Sequence, residues 1–189
     1  TAAHCWADGI QQALRFTVVL GSIKMFSGGT RLQTSSVTMH RGWNPRVLSN
    51  DIAMVTLPKV VQFSSTISPI ALPSGRELQE SFAGSTAIAS GFGLTADGAK
   101  ISPNTYLSHV KLQIISNAQC SRFYQIVRPT NICTKGARME NICGGDSGGP
   151  LAIIRSNKRI LVRIYFYRLE VCSSLLIVHQ IASDMQANI

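Results

Sequence analysis

The hydrophobic positions of this chain come in short runs separated by turn residues. Phe16, Val18, Val19 and Leu20, with Thr17 between them, form an apolar, β-branched run that stops at Gly21, which predicts a strand. Residues 33–39 alternate apolar and polar and lead to the turn residues Gly42, Asn44 and Pro45. Residues 52–57 have a buried-strand pattern closed by Pro58. Residues 85–90 precede Gly91-Phe92-Gly93, and residues 106–115 alternate over the length of a long strand. Residues 151–154 and 160–162 flank the polar stretch 155–158 and predict a hairpin. Helical signals are sparse. Residues 117–124 predict one short helix capped at Ser116 or Asn117, and residues 181–189 a terminal helix. The turn-rich stretch 91–103 predicts an exposed loop or a linker between subdomains. Many short strands at regular spacing predict an all-β sandwich or barrel.

Composition narrows the class. In 189 residues, 45% are hydrophobic and 14% charged, enough apolar matter for a packed core and unlike a disordered chain. The net charge of +9 would suit an anionic partner, but the Lys and Arg residues are scattered. Their densest cluster, Arg155, Lys158, Arg159 and Arg163, alternates with apolar residues and reads as a solvated basic surface. No nucleic-acid signature is present, and no run approaches the roughly 18 apolar residues of a membrane span. Five cysteines, none in a C-x-x-C pair, argue against a zinc or redox site and for an oxidising, extracellular compartment. An odd count leaves at least one without a partner in this chain. With no initiator Met and no leader, the chain reads as a piece whose front part lies elsewhere.

The richest chemistry lies in Gly144-Gly145-Asp146-Ser147-Gly148-Gly149-Pro150. A serine among glycines stands where backbone N–H groups approach a ligand closely. If Ser147 attacks a carbonyl, the N–H groups of Gly145 and Ser147 are the natural donors to the developing oxyanion. A glycine-rich turn with an incidental serine would carry a similar short pattern; the full seven-residue string is far more specific. A serine hydroxyl needs a base, and four residues qualify: His4, His40, His109 and His179. A buried acid must orient that base. Composition alone does not choose among the four.

Three strings do choose. Thr1-Ala2-Ala3-His4-Cys5, then Asn50-Asp51-Ile52-Ala53-Met54, then Gly-Asp-Ser-Gly-Gly-Pro around Ser147 resemble, in order, the signatures of the chymotrypsin/trypsin-type serine proteases. The flanks His40-Arg41-Gly42-Trp43-Asn44-Pro45 and Ser90-Gly91-Phe92-Gly93 agree, and the flavour is that of insect and crustacean digestive members. The resemblance runs from Thr1 to about Ile154. It implies two packed six-stranded antiparallel Greek-key barrels, the first truncated, with a short C-terminal helix. Residues 1–75 would be the remainder of the first barrel and residues 76–189 the second barrel and helix.

The resemblance also implies roles: His4 as general base and then acid, Asp51 as its orienting acid, Ser147 as nucleophile, Gly145 and Ser147 as oxyanion hole. Asp146 resembles the aspartate that pairs with a freshly cut N-terminal amine when a zymogen is activated. Cys120–Cys133 and Cys143–Cys172 match family disulfides, and Cys5 matches one whose partner lies upstream of the histidine. A further family bridge would need cysteines near Ala87 and Ile153, and both are absent together. Asn141 falls at the floor of the specificity pocket, where an aspartate would select Lys or Arg. Its uncharged amide implies a chymotrypsin-like or broad preference. The expected protein is a secreted, monomeric endopeptidase acting through an acyl-enzyme on proteins or peptides and met by protein inhibitors. No cofactor, metal, nucleic acid or membrane is implied.

The likeness weakens after Val162. Residues 163–168 replace the family's Gly-Ile-Val-Ser-Trp-Gly. Phe166 stands where a serine supports the triad acid, and Arg168 and Leu176 stand where pocket-wall glycines should be. Such side chains would fill the pocket, which keeps open a second expectation: an inactive protease homologue that binds a partner.

Overall fold

The structure, a computed structural model, describes residues 1–124, 127–137 and 140–165 and the backbone of Leu175–Val178. The expected terminal helix, Phe166, Arg168 and Cys172 lie outside the described residues, as does the side chain of Leu176.

Ten strands dominate the described residues: β1 (Phe16–Leu20), β2 (Thr30–Thr34), β3 (Val37–Met39), β4 (Ala53–Val55), β5 (Thr86–Gly91), β6 (Ser108–Ile115), β7 (Ile132–Gly136), β8 (Pro150–Arg155), β9 (Lys158–Ile164) and β10 (Leu175–Val178). Among the described residues helix is confined to a 3-10 turn, Gly75–Gln79, and α1, Asn117–Cys120. The second half forms one six-stranded antiparallel sheet in the order β10-β7-β6-β5-β8-β9; the first half holds two two-stranded ribbons, β1-β2 and β3-β4. This pattern is that of the expected two-barrel fold.

The alternation read in β6 is the burial pattern observed. Leu112 and Ile114 point into the core at 0% and 1% exposure, while Lys111 and Gln113 face out. With Leu151, Ile153, Val162 and Tyr165 they form the main core, each large side chain contributing roughly 1.5–3 kcal/mol by leaving water. Ala87 lies directly opposite Ile153 across β5 and β8, both in the core; where cysteines are absent, small and large apolar side chains pack instead. The β8–β9 hairpin turns at Ser156 and Asn157, both with positive φ, as a two-residue turn matching strand twist requires.

Several expectations are corrected. The stretch 33–39 is not one strand. Thr34 Oγ1 accepts the Ser36 N–H at 3.0 Å and donates to the Thr56 carbonyl at 2.8 Å, and this local bonding breaks the ladder between β2 and β3. The helix expected over 117–124 is helical only to Cys120; Ser116 caps it by accepting the Gln119 N–H. Residues 91–103 form a loop within the second sheet and not a linker, because β5 and β6 on either side of it pair directly.

The basic cluster is not simply a solvated face. Arg155 is bidentate to Glu80 at 2.6 and 2.7 Å and lies 5.5 Å from the Phe82 ring centre. Arg163 is buried, donating to the Val162 carbonyl at 3.0 Å.

The halves are stitched together by Leu107 N–H to the Ile23 carbonyl at 2.8 Å, Met25 N–H to Thr105 at 3.1 Å and Leu161 N–H to Ala71 at 2.8 Å. Cys120 and Cys133 are disulfide-bonded. Cys143 is also in a disulfide; its expected partner is among the residues not described. No helix among the described residues is long and apolar enough to cross a membrane.

Candidate active site

His4 is presented by a tight turn. Trp6 and Ala7 both donate to the Ala3 carbonyl at 2.9 Å, and Ala2 and Ala3 are buried beneath. The Ala53 N–H reaches the Thr1 carbonyl at 2.8 Å, which ties this turn to the segment carrying Asp51. The chain enters Asp51 through Asn50, whose φ of +56° is one that asparagine tolerates. The Asn50 side chain donates to the Gly42 carbonyl at 2.8 Å and holds that kink.

The Asp51 carboxylate is fully buried and accepts twice from His4: from the backbone N–H at 2.8 Å and from ring Nδ1 at 2.7 Å. An ionised carboxylate only accepts, so Nδ1 carries the proton and the neutral ring keeps its lone pair on Nε2. Cys5 Sγ lies 3.7 Å from that Nε2. Burial disfavours the imidazolium, yet the hydrogen bonds and charges of Asp51 and Cys5 outweigh it and push His4 from 6.5 up to about 10.

The Ser147 turn packs on the same spot from the other half. Cys5 Sγ lies 3.5 Å from the Ser147 carbonyl oxygen. Gly148 has φ of +83°, and a Cβ there would stand 2.9 Å from Cys5 Sγ. Gly145 is exposed with φ of +90°, while the amides of Cys143, Asp146, Gly148 and Gly149 around it are bonded inside the protein. Thus His4 is bonded to Asp51, forty-seven residues away, and the Ser147 backbone lies against Cys5, the neighbour of His4.

Behind the turn, Asp146 accepts the Gly93 N–H at 2.8 Å and the Cys143 N–H at 3.0 Å. A Cβ on Gly93 would lie 2.6 Å from both its carboxylate oxygens, so only glycine permits this seating. Asp146 opens on a cleft of about 560 Å³ lined also by Asn141, Glu140, His109 and Lys111. Asn141 Oδ1 accepts the Ile142 N–H at 2.9 Å, and its buried Nδ2 has no hydrogen-bond partner among the described residues.

Of the four histidines, His40 Nδ1 accepts the Gly42 N–H, His109 lines the Asp146 cleft, and His179 lies outside the described residues. His4 alone among the described ones is held by a buried carboxylate beside the serine turn. Reading the sequence missed the part of Gly93 in seating Asp146, and the Cys5–His4 contact. The Ser90-Gly91-Phe92-Gly93 string signalled the first; for the second, sequence adjacency gave the neighbour but not that its Sγ turns towards Nε2. Among the described residues no group of three or more His, Cys, Asp or Glu side chains is placed to hold a metal ion.

Comparison with known proteins agrees with this fold. The family model described as Trypsin matches residues 1–174. Trypsin beta of Drosophila erecta is 36% identical over 155 residues, covering 80% of this chain and 58% of the relative. Brachyurin of Leptuca pugilator is 36% identical over 154 residues, covering 80% and 64%. Collagenase of Hypoderma lineatum is 32% identical over 166 residues, covering 87% and 59%. A solved HL collagenase structure superposes with a TM-score of 0.83 at 29% identity, over 99% of this chain and 78% of that one. The chain spans about three fifths of the length of these curated relatives. On the family match and the shared fold, the chain belongs to the trypsin family of serine proteases.

Proposed function

We propose that the protein is a serine endopeptidase in which Ser147 forms the acyl-enzyme, His4 relays the proton and Asp51 orients and supports His4. The observation that carries this reading is the 2.7 Å bond between His4 Nδ1 and the buried Asp51 carboxylate, with the serine turn packed against the same turn of chain. Gly145 and Ser147 supply the oxyanion donors. Asp146 pairs with a new N-terminal amine on activation of a zymogen. Its place beside an open cleft supports that role, since a cationic group there would meet a carboxylate already oriented by two amides. Asn141 gives the specificity pocket an uncharged floor and an apolar or broad preference over Lys or Arg. The division at residue 75, secretion, a monomeric state, protein or peptide substrates and protein inhibitors complete the proposal. No cofactor enters it.

The test is labelling by a fluorophosphonate together with turnover of a peptide substrate. The wild-type protein is expected to label at Ser147 and Ser147→Ala not at all. A folded, activated protein that stays unlabelled would overturn the reading. An inactive, partner-binding homologue is the second reading, favoured by Arg168 and Leu176 at pocket-wall positions. Labelling without peptide turnover would support it.

A further inference from the structure

Tyr165 is the largest fully buried side chain among the described residues, and the proposed mechanism does not use it. Its environment is specific. The Gly148 N–H donates to the Tyr165 carbonyl at 2.8 Å, and the Tyr165 N–H donates to the Gly149 carbonyl at 3.0 Å. This two-way backbone pair joins the end of β9 to the residues that follow Ser147. The phenol passes under the turn, so that a Cβ on Gly149 would lie 2.6 Å from its hydroxyl oxygen and 2.8 Å from Cζ. The hydroxyl donates to the Ser90 carbonyl at 2.8 Å, at the end of β5. At Gly91, beside Ser90, a Cβ would run into the Asp146 carboxylate and come 3.4 Å from the Tyr165 hydroxyl. The backbone at 90–91 is therefore bracketed by Tyr165 and Asp146.

We propose that Tyr165 is a positioning residue for the nucleophile. It is a buried strut that fixes the height and tilt of the 146–149 turn, and with them the Ser147 hydroxyl and the oxyanion donors, by bonding both to the turn's backbone and to the β5 end on which Asp146 also rests. The inference rests on the reading of Ser147 as nucleophile. A ring with a hydroxyl at its tip suits the task because it spans the gap between turn and strand and ends in one directional bond. Valine at this position would reach neither the Ser90 carbonyl nor the underside of Gly149. Burial, and then the Asp146 charge, raise the phenol well above its ordinary range. It thus remains an O–H donor at any working pH.

The test compares Tyr165→Phe and Tyr165→Val with wild type in the full chain, by two measurements. Residue-resolved amide exchange reads the Gly148 N–H against the core amide of Leu112. Steady-state peptide hydrolysis separates kcat from KM. Tyr165→Phe is expected to lower Gly148 protection about tenfold more than that of Leu112, as loss of one buried hydrogen bond implies. It should also lower kcat several-fold at unchanged KM, since the change acts on the reacting groups and not on substrate contacts. Tyr165→Val should extend both effects to roughly a hundredfold. Equal loss of protection at Gly148 and Leu112 in both variants would make Tyr165 an ordinary core residue and overturn the proposal. So would unchanged kcat in both variants. If the folded, activated wild type neither hydrolyses peptide nor is labelled by a fluorophosphonate, the assignment of Ser147 fails. The exchange measurement then decides separately whether Tyr165 anchors the turn.

Discussion

Replacing Asp51 by asparagine tests the proposed relay with almost no change in shape. The carboxylate takes two donors from one residue, the His4 backbone N–H at 2.8 Å and ring Nδ1 at 2.7 Å. Asparagine has one acceptor and one donor group. If its oxygen faces the backbone N–H, its NH₂ faces Nδ1, which must then accept, and the ring proton moves to Nε2. If it flips, its NH₂ opposes a backbone N–H in a fully buried site, at a cost of about 1–3 kcal/mol. The first arrangement therefore wins by that amount. The tautomer able to take the serine's proton falls by roughly five- to a hundredfold. Loss of the negative charge beside the imidazolium adds to this; for trypsin-type triads in general the whole effect on kcat is about 10⁴. The assay is kcat for a peptide substrate from about pH 5 to 10, beside circular dichroism to confirm folding. Asp51→Asn should fold, retain KM and lose most of kcat. Removing Asp51 also removes a main contribution holding His4 near 10, so the residual activity should rise at a lower pH than in wild type. Activity within about threefold of wild type would refute the relay.

Other outcomes follow from the same contacts. The raised His4 also sets a pH dependence of stability through its bond to Asp51. A group raised in the folded state stabilises fully below its unfolded value of 6.5 and loses that contribution as pH climbs through the folded value near 10. Asp51→Asn should therefore narrow that window in thermal melts, and a His4 titration that stays unmoved by NMR would count against the bond. Gly93→Ala sets a methyl 2.6 Å from both Asp146 oxygens; fluorophosphonate labelling should fall by far more than the melting temperature, because the displaced carboxylate no longer orders residues 143–146. Leu112→Ala, at 0% exposure in the central strand β6, should cost about 2–5 kcal/mol in denaturant unfolding.

Much of the fold was legible because its strands are amphipathic or apolar in periods that survive in isolation. β1, β6 and the β8–β9 hairpin appear where alternation and turn residues put them. The missed elements had no such signal. β7 is a five-residue run, Ile132 to Gly136, with both a cysteine and a lysine in it. It pairs with β6 as neighbour in the sheet, a fact of long-range registry and not of local pattern. The break after Thr34 depended on a side-chain bond to Thr56, twenty-two residues away.

For the site, the strings around His4, Asp51 and Ser147 determined which chemistry the chain could hold, because few arrangements of serine, glycine and histidine suit acyl transfer. They could not determine that His4 and Asp51 meet. Tertiary structure decided that His4, among the described histidines, faces a buried carboxylate, and that two glycines make room for Asp146. It also put a tyrosine under the nucleophile turn, in a segment whose sequence departs from the family. Residue type sets what a group can do at any distance, whereas proton transfer and hydrogen bonding act over about 3 Å. Only the folded chain brings groups more than forty residues apart within that range.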